Sequence, residues 1–410
     1  MGHIGIIAEY NPFHNGHAYQ ITECRKRYPD KGIIVVMSGD FVQRGTPAIY
    51  HKYLRTECAL SSGVDILFEL PPLFATASAE YFACAAVSAL AATGIVDVLC
   101  FGAEDDCIDT FYQIADLLLA EPDNYRQLLQ SHIKSGLSYP KARELAVSEF
   151  LGQPGLSSIL QKPNNILGIE YIKAIKRFGF DITPVIIKRS GSGYHDNSLE
   201  TPLCSAFAIR EHICQNGFTP SLKDSLPAFS YNRLSSDSLA MPIFPQHFYP
   251  LLCYALWEHS ADCANYLDIS HDMANRITAL RDYPADYDSL VHQLCSKNTT
   301  TSRVRHALLN ILLGITKEQM EQAKHNNFIT YLRLLGFREE ASQLLKEMKQ
   351  TASVPIINKV ADAFKSLSPD QSADFQWDLF ISGLYRHVYS SVSKEALPTE
   401  YERTVIIYRG

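Results

Sequence analysis

Short apolar runs alternate with stretches of helical spacing along the first half of the chain. Ile4–Ala8, Gly32–Met37, Val64–Phe68, Val96–Phe101 and Thr183–Ile187 are too short for helices and lack the polar alternation of half-exposed strands. Runs of this kind form strands buried on both faces, as in parallel sheets. Helical spacing lies between them, near 51–62, 77–92, 108–120 and 164–177, and 121–160 reads as a helical insertion before the last strand. The expected fold is α/β, a doubly wound parallel sheet with helices on both faces. Ligands of such sheets collect at the carboxyl ends of the strands. Here those ends carry Glu9-Tyr10-Asn11, Ser38-Gly39-Asp40, Glu69-Leu70-Pro71, Gly102-Ala103-Glu104 and Lys188-Arg189.

After residue 218 the texture changes to Pro-containing loops, Phe218–Pro220 and Met241–Pro245, and then to helical periodicity with few strand-like runs. The expected organisation is a Rossmann-like domain over 1–218 and a mainly helical domain over 219–410. The length of 410 residues exceeds one ordinary core, and 46% hydrophobic with 20% charged residues is usual for a soluble globular protein. A net charge of −7 gives no global attraction to nucleic acid, so RNA binding must rest on a local basic patch and no DNA partner is expected. Ten cysteines without a Cys-x-x-Cys pair point to reduced thiols rather than a disulfide framework or zinc ribbon. No apolar run approaches the ~20 residues of a membrane span, and Met1 is followed almost at once by the first strand, so a cytoplasmic protein without a membrane partner is expected.

The first strand breaks at Asn11-Pro12 and helical spacing resumes from His17, which puts His14-Asn15-Gly16-His17 at a helix N-terminus. Free N–H groups and the positive end of the helix dipole favour phosphate there. Gly16 leaves room for a nucleotide to approach the backbone, and His14 and His17 can donate hydrogen bonds to phosphate oxygens. A zinc site would need a third ligand or the intervening Glu of His-Glu-x-x-His, and no such partner is evident. A second signal lies at Cys204–His212, where Ser205 is placed to cap a helix and Arg210 falls on its second turn, a pair suited to grip the β- and γ-phosphates.

Together, His14–His17 and Ser205–Arg210 resemble the paired signatures of the HxGH nucleotidyltransferase superfamily. Gly5–His17, Met37–Ala48, Pro163–Tyr171 and Gly193–Asp196 are similar to one branch of it, the bacterial tRNA(Met) cytidine acetate ligases, over nearly the whole chain. The superfamily's second motif usually has Ser-Ser-Thr or Ser-Thr where this chain has Cys204-Ser205-Ala206, so one hydroxyl contact to phosphate has no counterpart. The resemblance implies a two-step reaction. Acetate attacks the α-phosphate of ATP to give acetyl-adenylate and pyrophosphate, and the amine of the wobble cytidine of elongator tRNA(Met) then takes the acetyl group.

The resemblance further implies ATP contacts from Ile7, Ala8, Glu9, Tyr10, Asn11, Pro12, Phe13, His14, Asn15, Gly16, His17, Ala18, Tyr19 and Gln20, from Gly102, from one of Asn164 and Asn165, and from Arg189 and Ser205. His14, His17, Arg210 and a magnesium ion would neutralise charge. Ser38, Gly39 and Asp40, with Gln43 and Arg44 beyond them, are candidates to shape the acetate and cytosine pocket. Asp40 is either an acceptor of the amine proton or a loop cap. For tRNA, the locally basic stretch from Lys297 to Arg338 offers Lys297, Arg303, Arg305, His306 and Arg333. Arg303, His306 and Asn310 lie off the apolar stripe of Val304, Ala307, Leu308, Ile311 and Ile315, where they would follow phosphates or form a plain solvated face. A small-molecule adenylyltransferase and a non-catalytic RNA-binding protein that keeps ATP are the competing readings.

Overall fold

The computed structural model describes residues 2–189, 203–280, 282–296 and 299–410. The five apolar runs are strands β1 (His3–Ala8), β2 (Ile33–Ser38), β3 (Ile66–Leu70), β4 (Val96–Ala103) and β5 (Thr183–Lys188), paired parallel. They lack polar alternation because successive side chains enter two different cores. Ile4, Ile6, Ile33, Val35 and Met37 join one cluster, while Ile7, Ile34, Val36, Ile66 and Phe68 join the other. Helices α1 (Asn15–Arg27) and α2 (Lys52–Ser61) cover the first face; α3 (Ala79–Ala92), the helix Ile108–Ala120 and α4 (Pro163–Phe178) cover the second. Gly5 permits close packing there, since a Cβ would lie 2.7 Å from Leu90 Cδ1. The segment 121–160 forms helices Asp123–Lys134 and Tyr139–Phe150 and the 3-10 turn Pro154–Gln161.

The division at 218 needs correction. After α5 (Ala206–Asn216) the chain does build helices, and Tyr249–His259, His271–Ala279, Tyr287–Leu294 and α6 (Thr301–Leu313) share a core around Leu252, Met273, Leu290 and Leu308. It then returns to the first sheet. Strand β6 (Leu332–Arg338) pairs antiparallel with β3, and β7 (Ile356–Ile357) and β8 (Ile406–Tyr408) pair parallel with β6. The order is β8-β6-β3-β2-β1-β4-β5, with β7 beside β6. A cut at 218 therefore divides one sheet. Helix α7 (Pro369–Ser393) also joins the main core, through Ile381, Tyr385 and Tyr389. Strand order reverses between β1 and β4, which opens a crevice at their carboxyl ends.

Strand β6 carries an arginine into the interior. Arg333 lies 3.3 Å from Glu69 on β3 and pairs with Glu400. Beside it, Lys52 Nζ donates to Glu69 at 2.8 Å and to Ser382 Oγ at 2.8 Å, and lies 3.3 Å from Glu400. Burial works against the Glu400 carboxylate, but Arg333 and Lys52 outweigh it and hold its pKa at about 2. Buried charges persist only when paired, and removing one partner is far more costly than the pair is worth. Arg333→Met should therefore lower the unfolding free energy by about 3–5 kcal/mol in urea titrations. A loss below about 1 kcal/mol would mean that Lys52 alone balances both carboxylates.

Candidate active site

The loop after β1 is built from the inside out. Tyr10, Asn11, Pro12 and Phe13 are buried beneath it, and Asn11 Oδ1 accepts the Ile49 N–H at 2.9 Å. His14 is the N-cap of α1. Its Nδ1 accepts the Gly16 N–H at 3.0 Å, and His17 Nδ1 accepts the His14 N–H at 3.3 Å, so the two rings close a capping box. Asn15 N–H donates to Ser225 O at 3.1 Å. The first-turn amides expected to be free for phosphate are thus already used. The room left by Gly16 is likewise taken, because a Cβ there would meet the His14 ring at 2.7 Å.

This capping fixes the chemistry of the pair. A ring nitrogen that accepts an amide proton carries none itself, so each neutral imidazole holds its proton on Nε2 and is a donor there. Burial, with Arg189 and Arg210 adding to it, pulls the His14 pKa down to about 3. Burial, followed by His14 and Arg189, holds His17 well below the usual range. The rings lie 3.9 Å apart between centroids. At neutral pH the site offers two uncharged N–H donors, and its positive charge comes from arginine.

Both histidines line a cavity at the carboxyl ends of β1 and β4. Of the expected nucleotide residues, Ile7, Ala8, Glu9, His14, His17, Gln20, Gly102, Asn164, Arg189, Ser205 and Arg210 line it. Tyr10, Asn11, Pro12, Phe13, Asn15, Gly16, Ala18 and Tyr19 do not, and the first four support the loop from below. The two asparagines separate. Asn164 faces the cavity and its Nδ2 donates to Glu104 at 2.6 Å, whereas Asn165 is fully buried, its Oδ1 accepting the N–H groups of Glu104 and Asp105 at 3.0 and 3.2 Å. Ser205 caps α5, accepting the Ala208 N–H at 3.1 Å, and Ala206 puts a methyl group on the cavity wall beside it. Arg210 donates to Asn11 O at 2.7 Å. Gly193–Asp196 lies outside the described residues.

Asp40 is corrected to the loop cap. It is buried, its Oδ1 accepts the Lys52 N–H at 2.9 Å at the start of α2, and neither it, Ser38 nor Gly39 lines the cavity. Gln43 and Arg44 do line it. Sequence reasoning missed the apolar wall of Phe82, Phe101, Leu167, Tyr171 and Phe207, which nothing distinguishes from ordinary core positions. It also missed Lys52, Ser382 and Glu400, although Glu69, which Lys52 also contacts, was noted at a strand end. As for magnesium, no group of three or more His, Cys, Asp or Glu side chains among the described residues is placed to hold a metal. Glu9, the cavity's one carboxylate among those residues, accepts the Gln43 N–H at 2.7 Å. Among the described residues there is no protein cage for the ion, so with these side chains magnesium would rest on phosphate oxygens and water.

The expected RNA face contracts. Arg303 is exposed and Arg305 half-buried on α6, but His306 is buried 3.6 Å from Asp268, and Asn310 donates from the core to Leu267 O at 2.9 Å. His306 and Asn310, which spacing sets apart from the apolar stripe, pack inward instead, against Leu267 and Asp268 and the turn at Gly45. Arg333 belongs to the sheet, and Lys297 lies outside the described residues.

A doubly wound sheet with paired, Nε2-protonated histidines and converging arginines at its switch point defines a nucleotidyltransferase-type protein. A family model described as HIGH Nucleotidyl Transferase matches residues 1–400. The tRNA(Met) cytidine acetate ligase of Acetivibrio thermocellus is 36% identical over 411 residues, covering 98% of this chain and 99% of its own. That of a Thermoanaerobacter species is 39% identical, covering 96% and 97%. Apo Thermotoga maritima TmcAL superposes with a TM-score of 0.94 at 30% identity over 100% of both chains, and its form bound with alpha-thio ATP with 0.90 over 99% of both. The chain belongs to the tRNA(Met) cytidine acetate ligase family.

The neutral histidines make stability depend on pH. His51, N-cap of α2, is a parallel case away from the cavity: its Nδ1 accepts the Leu54 N–H at 3.2 Å, and burial, then Arg403, Arg55 and Arg233, lower its pKa to about 3. Unfolded imidazoles bind a proton near about 6.5. Between that value and 3 the unfolded chain holds more protons, so stability falls as pH is lowered through the window. Going from about pH 7 to about pH 5 should remove on the order of 2 kcal/mol per imidazole. His51→Asn keeps a capping oxygen and should lessen that pH dependence in urea titrations; an unchanged dependence would mean that the folded site accepts the charged ring.

Proposed function

We propose that this protein is an ATP-dependent ligase that activates acetate as acetyl-adenylate and transfers the acetyl group to the wobble cytidine of elongator tRNA(Met). A carboxylate does not acylate a weakly nucleophilic amine until one of its oxygens becomes a good leaving group, and adenylation achieves this. In the first step an acetate oxygen bonds to the α-phosphorus while the bond to the β-phosphate oxygen breaks, releasing pyrophosphate. In the second, the cytidine amine attacks the acetyl carbon, AMP leaves and the nitrogen loses a proton. The first step needs alignment and charge stabilisation, not a covalent enzyme nucleophile.

One observation carries this reading: the two Nε2–H donors of His14 and His17 share a switch-point cavity with Arg189 and Arg210. Neutral donors and fixed guanidinium groups suit a triphosphate whose charge shifts during attack, and the wall of Phe101, Leu167 and Tyr171 suits a base. Arg303 and Arg305 on α6 are the candidate phosphate contacts for the tRNA. The cytoplasm is the compartment this substrate requires. Among the described residues, no helix is long and apolar enough to cross a membrane.

Incubation with ATP, labelled acetate and total tRNA should yield labelled acetylcytidine after digestion, with AMP and pyrophosphate. A labelled nucleotide-linked metabolite formed without tRNA would point instead to a small-molecule adenylyltransferase. His17→Ala and Arg210→Ala should each lower acetate-dependent ATP–pyrophosphate exchange roughly tenfold to a thousandfold, the scale of losing one preorganised donor. Normal exchange in both would remove them from the phosphate site.

The RNA contact is tested separately. Arg303→Ala combined with Arg305→Ala should weaken tRNA binding and flatten its salt dependence by about one to two units of log–log slope, with ATP affinity unchanged. Loss of ATP affinity alone would contradict that placement.

A further inference from the structure

We propose that Arg44 binds the carboxylate of acetate during adenylation, an assignment that rests on the ligase reading above. The reaction brings together two anions, a triphosphate and a carboxylate, and the cavity is lined by three guanidinium groups among the described residues: Arg44, Arg189 and Arg210. Two of them belong to the histidine end. Arg189 and Arg210 both lie close enough to His14 to oppose its protonation, and Arg210 is tied to Asn11 O at 2.7 Å. Arg44 comes from the other side of β1, on the turn of the short hairpin Phe41–Val42 and Thr46–Pro47 that follows β2.

That turn is clamped from three directions. Gln43 N–H donates to Glu9 Oε1 at 2.7 Å, Gln43 Nε2 reaches Ala77 O at 3.5 Å, and Gly45, with φ +71°, is seated so closely on α6 that a Cβ would lie 2.8 Å from His306 N. The arginine is thus presented from a fixed backbone, and preorganised guanidinium groups bind carboxylates with two parallel N–H···O bonds. Ala77 leads directly into α3, whose first turn brings Phe82 to the same cavity. A cavity that offers both a guanidinium, from Arg44, and an aromatic surface, from Phe82, matches a carboxylate carrying a methyl group. Acetate held there needs no proton transfer: its oxygen bonds to the α-phosphorus as the electron pair of the breaking bond leaves with pyrophosphate.

The test is acetate-dependent ATP–pyrophosphate exchange, with acetate and ATP varied independently, in the unmodified protein, Arg44→Ala and Arg44→Lys, with thermal unfolding of each. Arg44→Ala should raise the KM for acetate at least about tenfold while the KM for ATP stays within about twofold, and Arg44→Lys should recover part of the loss because it keeps the charge without the fork. An unchanged KM for acetate, or equal rises for acetate and ATP, would overturn the assignment. Should Arg44→Ala prove unfolded, Arg44→Lys decides, since an acetate KM equal to that of the unmodified protein would likewise overturn it. Exchange that is absent from the unmodified protein would refute the ligase reading itself, and the assignment with it. Exchange that is present but insensitive to Arg44 would refute only the assignment.

Discussion

The site is organised around the guanidinium of Arg55. This residue of α2 is almost fully buried and donates through Nε to Tyr50 O at 2.9 Å, through Nη1 to Glu9 O at 2.5 Å and Ser38 O at 3.1 Å, and through Nη2 to Gly39 O. Parallel strands leave carbonyl groups without ladder partners at their carboxyl ends, which is where a switch-point site has to be. Left unpaired in a buried place, such groups are costly. One planar group with five N–H donors gathers the ends of β1 and β2 and the approach to α2 into a single fixed arrangement. A lysine has neither the donors nor the reach to replace it.

On that base the electrostatics divide cleanly. The histidines spend their Nδ1 atoms on backbone amides and remain neutral, so their contribution is directional. The charge comes from arginines on three separate elements: the hairpin after β2, the residue after β5, and α5. A site assembled in this way can receive a triphosphate without an imidazole having to gain or lose a proton. The Lys52–Glu69–Arg333–Glu400 cluster plays the corresponding part beneath it, tying β3 and α2 to β6 and the segment at 400.

The parallel strands were legible because burial on both faces removes polar alternation, and the phosphate loops because short spacings such as His14–His17 and Ser205–Arg210 lie on single elements. Strand β6 was not legible. Leu332-Arg-Leu-Leu-Gly-Phe-Arg338 closes a basic stretch and carries a charge near each of its own ends, and the partners of Arg333, Glu69 and Glu400, are far away in sequence. Periodicity likewise set His306 and Asn310 apart from the apolar stripe of α6, but it could not reveal that the loop at Leu267–Asp268 and the turn at Gly45 cover that side. For Asp40, residue type left base and cap open, and it is the fold that buries it away from the cavity wall and sets the Lys52 amide beside it.

Strand β6 has a consequence for how the protein is made. During synthesis β1 to β5 are complete once residue 188 has emerged, yet the outer edge of β3 stays uncovered until 332–338 arrives, and Glu69 lacks Arg333, and Lys52 lacks Glu400, until those residues are made. An apolar strand edge left open that long is a template for pairing with other chains, and contacts closed over so many residues form late. The nascent chain thus carries its complete histidine loop while its sheet is still unfinished, and a working site waits on residues made some three hundred positions after that loop.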